Sequence, residues 1–139
     1  MSFDLGAITR TGGHFGPQRI LIYGVQGLGK TTFGCSFEAP ILLRTEDGAG
    51  ALDVATFPTI AASYQDICDA IQALHGEHPF RTLVLDSLDW LEPLVLAKTC
   101  GDLGIEHIED AAYGKGYVTA DDNWRFIMGG LDSLRNNRG

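Results

Sequence analysis

The sequence predicts an α/β fold with a mostly parallel sheet covered on both faces. Three observations predict it. Short apolar runs recur at Ile20-Leu21-Ile22-Tyr23, Ile41-Leu42-Leu43 and Thr82-Leu83-Val84-Leu85, and none alternates as a one-faced strand would. Segments with helical spacing lie between and after them. A glycine-rich turn joins the first run directly to a helix. Strands alternating with helices imply right-handed crossovers and parallel strand order.

Residues 1–18 are rich in Gly and Thr without a period and read as an irregular lead-in to a single domain spanning 1–139. The run at 20–23 reads as a strand buried on both faces and ended by Gly24. A helix is expected from about Gly29 to Phe37, stopping before Pro40. The run at 41–43 is a second strand leading into Arg44-Thr45-Glu46-Asp47-Gly48. Residues 48–53 read as a loop. Val54–Ile60 is a weak third strand, placed at an edge by Pro58.

Tyr64, Ile67, Cys68, Ile71 and Leu74 form one helical stripe over 64–76, with Ser63 as N-cap. The strand at 82–85 ends on Asp86. A helix follows over 88–100, with Pro93 tolerable in its first turns or as a kink. Residues 101–119 are expected to be irregular. The last helix runs from about Ala120 to Asn136, with Trp124, Ile127, Met128, Leu131 and Leu134 on one face. Gly129 and Gly130 weaken it by about 1 kcal/mol each relative to alanine.

Composition narrows the function classes. The 139 residues hold 10 Lys and Arg against 18 Asp and Glu, a formal charge of −8, which makes the chain a poor candidate for coating duplex DNA by charge alone and leaves any nucleic-acid contact local. No apolar run approaches the length of a membrane span, and the N-terminus lacks a basic-then-apolar leader, so a cytoplasmic protein is expected. Cys35, Cys68 and Cys100 are odd in number and widely spaced, which suits buried free thiols rather than disulfides or a zinc site. His14, His75, His78 and His107 have no ligand spacing and read as surface or turn groups.

The strongest motif is Gly24-Val25-Gln26-Gly27-Leu28-Gly29-Lys30-Thr31, which fits G-x-x-x-x-G-K-[ST] at every fixed position. It begins where an apolar run ends and opens a helix, as phosphate binding requires. Glycines let successive N–H groups converge, and the helix start adds positive potential. Gly24 through Thr31, with Thr32, are the candidate nucleotide-binding residues. Lys30 reaches the β- and γ-phosphates, and the Thr31 hydroxyl faces Mg²⁺. The plainer reading is a glycine-rich turn with a surface lysine. Asp86, ending an apolar strand downstream, is the second candidate metal residue, with an N-cap carboxylate as its alternative. Glu46 ends the second strand at the same sheet edge and is a candidate to orient an attacking water. Asp47 competes with it, and a solvated turn acid is the plain alternative.

The stretches IYGVQGLGKTTF, TEDG, LVLDSLDWLE and YGKGY resemble bacteriophage-encoded ATP-binding proteins of the RecA-like P-loop ATPase class, some of which are single-strand annealing recombination proteins. The resemblance covers about residues 19–138. It implies a three-layer α/β/α P-loop NTPase that uses ATP and Mg²⁺, with Lys30 and Glu46 as catalytic residues. It also implies self-assembly into homo-oligomers and a single-stranded DNA contact beyond the Asp86 strand, where Tyr113-Gly114-Lys115-Gly116-Tyr117 lies. An ordinary loop with packed tyrosines competes for that segment. Family members continue into a further strand after the last helix, so the chain is expected to lack C-terminal strands and to expose the edges beside them. Arg125, Arg135 and Arg138 are candidates for an arginine acting across subunits, against a plainer role as solvated helix charges. A small-molecule kinase would need an arginine-rich lid that 101–119 lacks. A nucleotide-binding or interaction module without turnover is the other alternative.

Overall fold

The computed structural model describes residues 4–10, 12–13, 16–48 and 50–138. Parts of the expected lead-in (1–3, 11, 14, 15), His14 and Gly139 lie outside the described residues, as does the side chain of Arg138.

The sheet is built from the apolar runs at 41–43 and 82–85. Strand β1 spans Pro40–Arg44, with Leu42 wholly buried and its two neighbours nearly so. Strand β2 is only Ala55–Thr56, and β3 spans Thr82–Asp86. All pairings are parallel and the order is β2-β1-β3, so the most apolar run takes the centre. The expected strand at Val54–Ile60 is cut to two residues, yet it does lie at an edge. Pro58 has no N–H to add to the ladder.

Successive strand residues face opposite sides. Leu43, Leu83 and Leu85 face a core supplied by three helices: α2 (Tyr64–Ala73), α3 (Leu88–Leu103) and α4 (Lys115–Arg138). Ile67, Leu91, Val95 and Ile127 are the best-buried helix residues of that core. The other face meets the short helix α1 (Lys30–Gly34), whose Gly34 packs against Val84. The result is a three-layer α/β arrangement with the sheet in the middle.

Helix α2 starts as expected. The Ser63 hydroxyl accepts from the Asp66 N–H at 3.1 Å, and the Asp66 carboxylate accepts from the Ser63 N–H at 2.9 Å, a reciprocal capping box. Helix α3 contains Pro93 on its exposed side and runs three residues past its expected end.

Three expectations are corrected. The run at 20–23 is not a buried strand. It pairs with no strand among the described residues, and its side chains are 38% to 89% exposed. Apolar content makes a segment able to fill a sheet, but a strand also needs a ladder partner. Here the preceding residues are tied to α4 instead, Arg19 Nη1 to Asp132 Oδ1 at 2.7 Å and Arg135 Nε donating to the Pro17 carbonyl at 2.5 Å. Second, α1 is five residues rather than nine, ending before Cys35. Third, 101–119 is not irregular throughout: two short 3₁₀ turns (Ile108–Asp110 and Ala112–Gly114) lead into α4, which begins five residues early. Position 116, inside that helix, takes glycine because a Cβ there would meet the Ile108 carbonyl oxygen at 2.5 Å. Gly116 marks close packing, not a flexible loop.

The cysteines are free and half-buried rather than fully buried. His75 is half-buried and bridges two helices, from the Ile71 carbonyl at 3.0 Å to the Ser133 hydroxyl at 3.1 Å. No helix among the described residues is long and apolar enough to cross a membrane.

Candidate functional site

The carboxyl ends of β1 and β3 and the loop preceding α1 converge at one corner of the sheet. Gly29 is the N-cap of α1 with φ 92° and ψ 23°, a left-handed conformation that glycine adopts without Cβ strain. That turn lets Lys30 and Thr31 begin the helix directly over β3. The Lys30 ammonium donates to the Gly24 carbonyl at 2.7 Å and the Val25 carbonyl at 3.0 Å, so it spans the loop from its last residues to its first. Because α1 is little more than one turn, its dipole adds less than the expected longer helix would. The loop amides and Lys30 are the groups at this corner that could receive an anion.

Thr31 and Asp86 are 55 residues apart in sequence, and the Thr31 hydroxyl donates to Asp86 Oδ2 at 2.6 Å. Alternation along β3 puts Asp86 on the α1 face with Val84. Asp86 is not the N-cap of α3. That position belongs to Ser87, whose side chain makes no capping bond. The carboxylate is left to the Thr31 side. Its charge is felt at Cys35, whose thiol is pushed up first by burial and then by Asp86.

Thr45 closes the corner, and sequence reasoning passed over it. Its N–H donates to the Asp86 carbonyl at 2.8 Å. Its hydroxyl donates to the Ser87 carbonyl at 2.7 Å and accepts from the Ser87 N–H at 2.8 Å. One buried side chain therefore locks the end of β1 to the end of β3, between Glu46, which follows β1, and Asp86, which ends β3. The available signal was a hydroxyl residue directly before the acidic pair in TEDG.

Glu46 follows Thr45 and is half-buried, while Asp47 is exposed. Glu46 makes no hydrogen bond or ion pair with Lys30, Thr31 or Asp86 among the described residues. Gly24, Val25, Gln26, Gly27, Leu28 and Thr32 are exposed along the loop and the start of α1. No cluster of three or more His, Cys, Asp or Glu side chains able to hold a metal occurs among the described residues. A hydroxyl beside one carboxylate is still a hard-oxygen pair of the kind Mg²⁺ takes when phosphates and waters complete its shell.

The 113–117 segment lies apart, at the start of α4. Tyr113 is fully exposed and Lys115 is exposed. Tyr117 is partly exposed and its hydroxyl donates to Glu109 Oε1 at 3.3 Å; the Glu109 charge, followed by burial, pushes the phenol up.

A family model described as an AAA domain matches residues 16–137 of this chain. No curated protein and no solved structure matches it.

Proposed function

The chain belongs to the AAA-domain family of P-loop ATPases, and on that premise we propose that it binds ATP with Mg²⁺ in the 24–31 loop and hydrolyses it during DNA recombination on single strands. The observation that carries the nucleotide reading is the 2.6 Å bond from Thr31 to Asp86. It brings the hydroxyl of the phosphate loop and the acid of a distant strand to one point, as a metal bound between protein and phosphate demands. Lys30 reaches across the mouth of the same loop, where phosphate oxygens would replace the two carbonyls as its acceptors.

Thr31 and Asp86 would hold the metal, which neutralises charge on the phosphate oxygens. The loop amides and Lys30 fix the phosphates, and Thr45 keeps the two strand ends in register. Glu46, half-buried beside Thr45, is the group assigned to orient water. The reaction asks little covalent chemistry of the protein; positioning and electrostatics supply most of the acceleration. Adenine is favoured because no Asn-Lys-x-Asp stretch, expected of GTP-specific chains, occurs in the sequence.

The recombination role rests on the resemblance in the loop, TEDG and LVLDSLDWLE stretches, and on Tyr113 and Lys115, which offer a stacking face and a cation. Self-assembly is supported by an apolar surface around the loop, where Leu21, Tyr23, Val25 and Leu28 are all more than half exposed. A second reading, nucleotide binding without turnover, is favoured by the lack of a hydrogen bond or ion pair from Glu46 to Lys30, Thr31 or Asp86 among the described residues. Phosphate release from MgATP, measured with and without single-stranded DNA, separates them. Release accelerated by DNA is expected. Tight nucleotide binding with no release would support the binding module, and release indifferent to DNA would remove the recombination role.

A further inference from the structure

The corner described above holds one more cation, on β1. Arg44 is the last residue of that strand and stands in register with Asp86 on β3. Leu43 faces the three-helix core, so alternation puts Leu42 and Arg44 on the opposite face. That is the α1 face, where Val84 and Asp86 lie and from which Thr31 reaches Asp86. Arg44 is therefore a cross-strand neighbour of the candidate metal carboxylate, on the same side as the phosphate loop.

Its bonding is incomplete. The Arg44 Nε is buried and has no hydrogen-bond partner, and no carboxylate lies within ion-pair distance of Arg44 among the described residues. Arg19 is engaged with Asp132, Arg125 with Asp121 and Arg135 with the Pro17 carbonyl, while Arg10 and Arg81 are exposed to solvent. Arg44 as a whole is half-buried, and a guanidinium whose buried Nε lacks an acceptor is disposed to take an anion. Its planar fork matches a phosphate, which offers paired oxygens.

We propose that Arg44 is a second phosphate-binding cation of this site, supplied within the same chain, and that it recognises the terminal phosphate of a nucleoside triphosphate. The assignment rests on the nucleotide reading above. Lys30 serves both di- and triphosphates from the loop side. Arg44 approaches from the β1–β3 end, beside Asp86, so its partner is the phosphate farthest from the nucleoside. The observable consequence is discrimination between ATP and ADP.

The test is titration calorimetry of MgATP and MgADP into the full chain, comparing wild type with Arg44→Ala, Arg44→Lys and Arg44→Met, alongside thermal melting. Arg44→Met retains the apolar stem and guards against a folding defect in the alanine variant. The expected result is a loss of about tenfold in ATP affinity in the alanine and methionine variants, the scale of one charge-assisted hydrogen bond, with ADP affinity within about twofold of wild type. Arg44→Lys should fall between. Equal losses for ATP and ADP, or no loss for either, overturn the assignment and leave the nucleotide site standing. Wild type that binds neither nucleotide overturns the nucleotide reading itself, and Arg44's role with it.

Discussion

At the scale of single residues, two hydroxyls organise the corner. Thr31 ties the phosphate loop to Asp86, and Thr45 ties the end of β1 to the end of β3. Thr45→Val keeps the shape but leaves the Ser87 N–H and carbonyl without their partner. It should destabilise the protein by about 2 kcal/mol in urea unfolding, because buried backbone groups lose their bonds. Lys30→Ala should weaken MgATP binding by about tenfold to a hundredfold in calorimetry, with the unfolding midpoint unchanged, since its bonds are to exposed loop carbonyls. Cys35 reports on Asp86 from nearby. Burial and the Asp86 charge both disfavour the thiolate, so the folded thiol titrates above its ordinary value. Alkylation by iodoacetamide should accordingly be slow at neutral pH and rise only at higher pH than for a free thiol. Asp86→Asn removes one of the two causes, so its alkylation profile should move to lower pH. An unmoved profile would mean that Asp86 does not face Cys35.

At the scale of elements, α2 shows how a local signal becomes a stable helix. Its N-terminus is fixed by Ser63 and Asp66, and Ser63→Ala should cost about 1 kcal/mol in unfolding experiments. The Asp66 carboxyl is held below its usual range by the Ala62 N–H, then by Ser63. Its contribution is therefore present above the unfolded value of 3.8 and is lost as pH falls through the lower folded value; an acid titration of stability in wild type against Asp66→Asn reads this window. Ser63, the α2 stripe, β1 and β3 were legible because each is specified by its own residues. The run at 20–23 was not, since being a strand depends on a partner edge that no local pattern encodes. The start of α4 was misread for a related reason. Tyr113-Gly114-Lys115-Gly116-Tyr117 has the composition of a loop, but Gly116 answers to the Ile108 carbonyl across the packing contact. The Thr31–Asp86 pair was legible from two motifs taken together, whereas Arg44 emerged only once register and alternation were known.

At the scale of the whole molecule, the two faces of the sheet are unequally covered. Three helices bury one face, and a five-residue helix with its loop attends the other. The large apolar side chains of residues 20–28, which lead into that short helix, are exposed. Patches of this kind promote association, so sedimentation velocity should show a concentration-dependent rise in the wild-type coefficient, abolished by Leu21→Glu combined with Tyr23→Ser. A concentration-independent monomer would remove self-assembly without touching the nucleotide site. The proposed site requires Lys30, Thr31 and Asp86 to act on one ligand. The most direct measurement is calorimetric titration of ATP into wild type and Asp86→Asn, each with and without Mg²⁺. The account predicts that wild type binds ATP more tightly when Mg²⁺ is present and that Asp86→Asn loses this enhancement while still binding metal-free ATP. No binding by wild type, or an equal Mg²⁺ enhancement in both proteins, would contradict it.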